Sequence, residues 1–167
     1  MIYGLDLSLT GTGLAKLYEA RHLELMTLGT PALMRVEERL ATLAERIREE
    51  TKEPGLVVIE GLAFSRNDPS AQARGALHFI VRCNLWAAER SFLIVTPNQA
   101  KKFVTGKGSA EKSIMLREIH RRWGVVAGND NEGDAAALAY VGLAFRGGLE
   151  GLTVPMKEVV SKLKEVK

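Results

Sequence analysis

Residues 2–18 read IYGLDLSLTGTGLAKLY, and this stretch decides the fold class. Residues 2–7 form a short apolar run that contains an acid, which predicts a buried strand. Residues 10–13 (TGTG) predict a turn. Residues 14–18 and residues 22–28 alternate well enough to predict two more strands. The chain therefore opens with three strands that follow one another closely.

Helices alternate with two further strands in the rest of the chain. Residues 56–59 (LVVI) and 92–95 are continuous apolar runs, typical of strands covered on both faces. The predicted helices span residues 35–50, 70–90, 97–104, 110–123, 133–145 and 158–167. This order predicts an α/β fold with a mixed five-stranded sheet flanked by helices. We expect one domain over residues 1–150 and a C-terminal tail helix within residues 151–167.

The helix predicted over residues 70–90 carries a series of apolar side chains whose spacing predicts burial. They are Ala76, Phe79, Ile80, Cys83, Trp86 and Ala87. Cys83 is the only cysteine of the chain, and its apolar neighbourhood predicts a small core residue. A single cysteine cannot form an internal disulfide, which favours a reducing cytoplasm as the location.

Charge and hydropathy narrow the possible partners. The chain has 167 residues and a formal net charge of +3, and residues 98–123 alone hold seven basic and two acidic side chains. Such a focused basic segment is typical of a polyanion-binding face, although a solvated helix face is the alternative. No apolar run is long enough to predict a membrane span. The first residues lack the pattern of a signal peptide.

Acids stand at the ends of two predicted strands. Asp6 follows Ile2-Tyr3-Gly4-Leu5, and Glu60 follows Leu56-Val57-Val58-Ile59. A carboxylate at the end of a buried strand is costly in free energy unless it is paired or binds a cation. If the two strands are neighbours, a spacing of roughly 5 Å brings the two acids together.

A third acidic cluster, Asp130-Asn131-Glu132-Gly133-Asp134, opens the helix predicted over residues 133–145. Asp134 follows Asp130 by four residues and Asn131 by three, so these side chains can share one helix face. Acids at a helix N-terminus are also favourable with the helix dipole, which is the structural alternative. Together with Asp6 and Glu60, the cluster favours a site for hard cations such as Mg²⁺ or Mn²⁺.

Other catalytic classes lack their motifs. There is no CxxC and no HExxH, and His22, His78 and His120 are scattered, which argues against a zinc site. The serines have no evident histidine partner for a hydrolytic triad. Residues 106–109 (GKGS) lack the spacing of a P-loop and follow a predicted helix rather than a strand.

Several of these motifs resemble those of the RuvC Holliday junction resolvases. Gly4-Leu5-Asp6-Leu7-Ser8 followed by Thr12-Gly13 resembles the first-strand motif of that family, and Val58-Ile59-Glu60 resembles its second acidic strand. The resemblance extends to Gln72-Ala73-Arg74-Gly75 and to the DAAALA string that begins at Asp134. The most specific match is Gln99-Ala100-Lys101 followed by GKGSAEKS over residues 106–113.

The resemblance implies an RNase H-like fold and a homodimer that nicks four-way DNA junctions symmetrically in DNA recombination and repair. It implies two Mg²⁺ ions per active site, which Mn²⁺ could replace, and Asp6, Glu60 and Asp134 as their catalytic ligands. It places Lys101 and Lys112 near the scissile phosphates, and we expect Lys107 to bind DNA as well. The family further implies a bacterial cytoplasm, or a phage protein in a bacterial host.

The roles of two positions in the expected site remain undecided from the sequence. The family commonly has Asp or His where this chain has Asn131, so Asn131 could ligate through its carbonyl, or Asp130 or Glu132 could replace it. Phe64, in the loop after Glu60, could stack on a base or wedge into the junction, or could only pack the loop. We expect the helix over residues 70–90 to form the dimer face.

Three other functions remain as alternatives. The first is a RuvC-like nuclease that acts on flaps, replication forks or RNA. The second is an actin-like ATP-binding protein, which also opens with an acid and a Thr-Gly turn but normally needs two lobes. The third is a DNA-binding module without nuclease activity, against which the three acids argue.

Overall fold

A computed structural model describes residues 1–19, 22–62 and 70–167. Those residues form five strands and six helices. The strands are β1 (Ile2–Asp6), β2 (Thr12–Glu19), β3 (His22–Leu28), β4 (Leu56–Glu60) and β5 (Phe92–Val95). The helices are α1 (Val36–Glu50), α2 (Ala71–Ala87), α3 (Pro97–Thr105), α4 (Lys112–Trp123), α5 (Asp130–Phe145) and α6 (Val154–Val160).

The strands form one mixed sheet in the order β3-β2-β1-β4-β5. β1, β4 and β5 run parallel, and β2 is antiparallel to both of its neighbours. The predicted mixed five-stranded sheet is therefore confirmed. The register pairs Leu5 with Ile59, so β1 and β4 end side by side at the same edge of the sheet.

Helices cover both faces of the sheet and form two apolar cores. α3, α4, α5 and α6 pack on the face that carries Ile2 and Val58, whereas α1 and α2 pack on the face that carries Leu5 and Ile59. Successive side chains of a strand point to opposite faces. Of the described helices, none is both long enough and apolar enough to cross a membrane.

Two glycines allow α5 to lie directly against the sheet. A Cβ atom on Gly4 would stand 2.0 Å from the carbonyl oxygen of Ala135, and one on Gly13 would stand 2.0 Å from that of Asn131. Because both obstructing atoms belong to backbone, they cannot move aside as the end of a flexible side chain could. The small side chains of α5 and these glycines together set the position of its first turns over β1 and β2.

The prediction for the buried side of α2 was wrong. Its buried residues are Leu77, His78, Val81 and Leu85. Phe79 and Trp86 are 58% and 67% exposed, and Cys83 is exposed rather than a core residue. Ile80 and Ala87 are exposed as well, and Ala76 is half-buried. Because α2 carries apolar residues on more than one side, periodicity alone could not tell which side faces the sheet.

The C-terminal helix also differs from the prediction over residues 158–167. α6 begins at Val154, with Pro155 in its first turn, where a missing backbone N–H does no harm. It ends at Val160, and Met156 and Val159 are buried in the core around α5. Beyond the helix, Val166 forms an antiparallel bridge with Phe92, so the tail returns to the edge of β5.

The close approach of α5 predicts a large effect of one methyl group. Gly4→Ala should lower the free energy of unfolding by about 1–3 kcal/mol or more, because α5 must move off the sheet. Gly75→Ala is the matched control, since a Cβ there meets no atom within 4 Å. It should raise stability by roughly 0.5–1 kcal/mol, as alanine favours a helix over glycine. Urea unfolding measures both, and an unchanged stability of Gly4→Ala would contradict this packing.

Candidate active site

The three acids singled out in the sequence line one pocket. It opens where β1 and β4 end and is bounded on one side by the first turns of α5. The polar and charged residues that line it are Asp6, Ser8, Glu60, Arg74, His78, Lys101, Lys112, Asn131 and Asp134. The two acid-bearing strands are neighbours, which was the condition for their acids to meet.

The sheet register brings Asp6 and Glu60 together. Each follows a residue of the last β1–β4 pair, Leu5 and Ile59, and neighbouring strands lie about 4.8 Å apart. By strand alternation, Asp6 and Glu60 project to the same face as Gly4, which is the face covered by α5. Their two carboxyl groups are close enough for the charge of Asp6 to raise the pKa of Glu60.

Asp134 reaches this pair from α5. The helix begins three residues earlier than predicted, because the Asn129 side chain accepts a hydrogen bond from the Glu132 backbone N–H and caps it. Asp134 therefore lies in the second turn, where its carboxylate is 3.8 Å from Lys112 Nζ. Lys112 Nζ is also 3.7 Å from the carboxylate of Asp130, so one ammonium faces two acids.

Burial and mutual repulsion dominate the electrostatics of the pocket. Burial is the largest cause of a raised pKa at Asp6, Glu60 and Asp134 alike. The charge of Asp134 raises the pKa of Asp6 further, and the charge of Asp6 raises that of Glu60. Lys112 lowers all three pKa values but does not offset the increase. The three carboxyl groups therefore resist full ionisation at neutral pH as long as no cation is bound.

This donor set fits a hard divalent cation. Carboxylate oxygens are the ligands that Mg²⁺ and Mn²⁺ prefer, and a cation would offset the burial and the repulsion that raise the three pKa values. Over residues 1–19, 22–62 and 70–167, no three acidic, imidazole or thiol side chains already surround one point as the ligands of a metal would. Asp134 is paired with Lys112 instead.

The remaining predicted acidic and amide residues separate into two groups. Asn131 lines the pocket, and Asp130 lies beside it as an exposed partner of Lys112. Glu132 accepts hydrogen bonds from the Thr27 hydroxyl, at 3.0 Å, and from the Gly128 backbone N–H, at 2.8 Å. Its carboxylate thus ties the start of α5 to β3, and it is not among the residues that line the pocket.

The predicted DNA-binding residues do not all lie together. Lys101 and Lys112 line the acidic pocket. Lys107 lines a neighbouring groove together with Arg117 and Arg121 of α4. Gly106, whose φ of 84° lies in the left-handed region, ends α3 and turns the chain towards this groove. Phe64 lies outside the described residues.

Sequence reasoning gave no role to two residues of the pocket, Arg74 and His78. They are four residues apart on α2, so they follow one another on the same side of the helix. This i, i+4 spacing was the only signal in the sequence. The signal was missed because the apolar residues Phe79 and Trp86 suggested that their side of α2 was buried, and Arg74 and His78 lie on the other side.

Comparisons with known proteins agree on one family. The family model described as "Crossover junction endodeoxyribonuclease RuvC" matches residues 2–140. A protein of that name from Thermomicrobium roseum is 34% identical over 147 residues, covering 83% of this chain and 89% of the relative. Another from Carboxydothermus hydrogenoformans is 32% identical over 124 residues, covering 72% and 78%.

Solved structures support the fold. The structure described as Thermus thermophilus RuvC in complex with Holliday junction substrate superposes with a TM-score of 0.68 at 21% identity. The match covers 88% of this chain and 96% of that one. The fowlpox virus resolvase, also solved with Holliday junction DNA, superposes with a TM-score of 0.53 at 12% identity, covering 89% and 100%.

The raised carboxyl pKa values predict a pH-dependent stability in the absence of metal. Because the fold raises the carboxyl pKa values, the folded state holds protons that the unfolded state releases above a pH of about 4. The stability that these groups contribute is therefore present at low pH and is lost as the pH rises through their raised pKa values. In EDTA, the melting temperature measured by thermal unfolding should fall as the pH rises through about 6 to about 8, the raised pKa values of Asp6 and Glu60.

Removal of one charge should reverse this loss. At pH 8 in EDTA, Glu60→Gln should raise the melting temperature, by about 2–4 °C for each kcal/mol of repulsion relieved. At pH 5 the gain should be smaller, because Glu60 is then already protonated. Glu150→Gln, at an exposed position, is the control and should change little. A melting temperature of Glu60→Gln below that of the unaltered protein at pH 8 would show that the charge of Glu60 does not destabilise the fold.

Proposed function

The chain belongs to the RuvC family of crossover junction endodeoxyribonucleases, and we propose that it resolves four-way DNA junctions by hydrolysing phosphodiester bonds. The observation that carries this proposal is the meeting of Asp6, Glu60 and Asp134 in one pocket flanked by Lys101 and Lys112. A four-way junction as substrate is supported by the Holliday junction bound in a structurally similar RuvC.

Asp6, Glu60 and Asp134 would hold two Mg²⁺ ions, with the amide oxygen of Asn131 as a further donor. When bound, such ions supply the Lewis acidity that activates a water and stabilises the leaving oxygen of a phosphodiester. Asp6 is the central acid, because the charge of Asp134 raises its pKa and its own charge raises the pKa of Glu60. This arrangement supports Asp6 as a ligand that would hold the cations together with Glu60 and Asp134.

The basic residues hold the DNA. Lys101 and Lys112 border the acids, so their ammonium groups can neutralise the phosphate that enters the pocket. Lys107, Arg117 and Arg121 extend this positive surface along α4 and would contact the backbone of a junction arm. Binding should consequently weaken as the salt concentration rises.

The exposed side of α2 would form a homodimer. Phe79, Ile80 and Trp86 are large apolar residues at the surface of one helix, where a second copy could bury them. In an isologous dimer, a two-fold axis would run between the two α2 helices. Two pockets related by such an axis match the two-fold symmetry of a four-way junction.

Replacement of Asp6 tests the catalytic assignment. Asp6→Asn should still bind a synthetic four-way junction but should cut it at least about 100-fold more slowly in Mg²⁺, a loss of about 2.7 kcal/mol. Glu150→Gln, the same exposed control, should cut normally. Single-turnover cleavage and gel-shift binding measure the two properties. Undiminished cleavage by Asp6→Asn would remove Asp6 from the active site, and faster cutting of flaps or forks would change the assigned substrate.

A charge on the exposed side of α2 tests the dimer. Trp86→Glu should convert a dimer into a monomer in analytical ultracentrifugation, because a buried unpaired carboxylate disfavours the interface. The Trp86→Glu monomer should still unfold cooperatively as a folded protein, since the Trp86 side chain is 67% exposed in the single chain and contributes little to its core. Val126→Glu, at a position 79% exposed, is the matched control and should remain dimeric. A monomeric unaltered protein, or an intact Trp86→Glu dimer, would contradict the proposed interface.

A further inference from the structure

A buried histidine lies directly behind the acidic pair. His78 is 3% exposed, and its ring Nε2 is 2.8 Å from the main-chain carbonyl oxygen of Glu60. A carbonyl oxygen only accepts, so Nε2 carries the proton and donates this hydrogen bond. Burial lowers the pKa of His78, which keeps the ring neutral at neutral pH.

The carbonyl of Glu60 lies at the end of β4, just beyond the last residue of this strand that pairs with β1. The β1–β4 ladder ends with the pair Leu5 and Ile59, one residue before Glu60. On its other side, β4 is still held, because the Gly61 backbone N–H donates to the Val95 carbonyl oxygen at 2.8 Å. His78 therefore adds a bond at the first residue of β4 beyond its pairing with β1.

Only one of the two ring nitrogens of His78 has a hydrogen-bond partner among the described residues. The other three buried residues of α2 are Leu77, Val81 and Leu85, so His78 is the polar member of an apolar stripe. Its Nδ1 atom is buried and has no hydrogen-bond partner among the described residues. A buried polar atom without a partner is desolvated without compensation, a cost that a leucine would avoid.

We propose that His78 is a positioning residue that anchors the Glu60 backbone so that its carboxylate stays beside Asp6 for cation binding. Repulsion between the two acids would otherwise be relieved by a shift of the end of β4. α2 packs on the opposite face of the sheet from α5, so His78 holds this strand end from the side away from Asp134. The inference rests on the proposed role of Glu60 as a metal ligand.

Two substitutions separate the hydrogen bond from the bulk of the ring. Glutamine places its amide nitrogen where Nε2 lies, so His78→Gln can still donate to the Glu60 carbonyl. Leucine fills similar space but cannot donate. Mn²⁺ binding to the full chain without DNA, measured by electron paramagnetic resonance of free Mn²⁺, is the readout, with thermal unfolding in EDTA alongside.

His78→Leu should bind Mn²⁺ about 10–100-fold more weakly, the range expected when a group that orients a ligand is lost. His78→Gln should stay within a few-fold of the unaltered protein. His22→Leu, at an exposed site on β3, is the histidine control and should bind normally. If His78→Leu does not fold, His78→Asn replaces it, because its shorter amide cannot reach the carbonyl and should bind Mn²⁺ as weakly.

Equal Mn²⁺ affinity in His78→Leu and the unaltered protein would overturn the positioning role while leaving the proposed function intact. The same conclusion would follow if both variants lost affinity equally, since the donor would then not matter. If the unaltered protein bound no Mn²⁺ and cut no junction, the proposed function would fail and the inference with it.

Discussion

The central constraint on the structure is that three carboxylates must be held close together against their mutual repulsion. Asp6 and Glu60 stand at the ends of adjacent parallel strands, and Asp134 approaches from a helix. Such an arrangement is unfavourable in the absence of a cation, so it requires a rigid support. The sheet register, the glycines that admit α5 and the apolar cores on both faces supply that support.

Much of the fold followed from patterns that favour one structure strongly. The continuous apolar run of Leu56–Glu60 is typical of an inner strand covered on both faces, and its short length argues against a helix. α2 was different, since apolar residues lie on two of its sides and either could have faced the sheet. Which side is buried depends on how α1 and the sheet pack around the helix, and local periodicity does not contain that information.

The candidate site was also only partly predictable from the sequence. Carboxylates that end buried strands stand out because burial makes them costly, so Asp6 and Glu60 could be located from the sequence. The separation of Lys107 from the pocket follows from the turn at Gly106, and it could not be inferred from its position between Lys101 and Lys112. His78 escaped notice because a lone histidine carries no motif, and its role depends on a backbone carbonyl.

The position of a bound cation would show whether the three carboxylates are gathered to hold one. Crystals grown with Mn²⁺ allow the ions to be located by their anomalous scattering, independently of any activity. Manganese peaks are expected between the carboxylates of Asp6, Glu60 and Asp134. Manganese bound only at Asp130 or Glu132, with the other three acids free of it, would contradict the claim that these carboxylates are gathered to hold a cation.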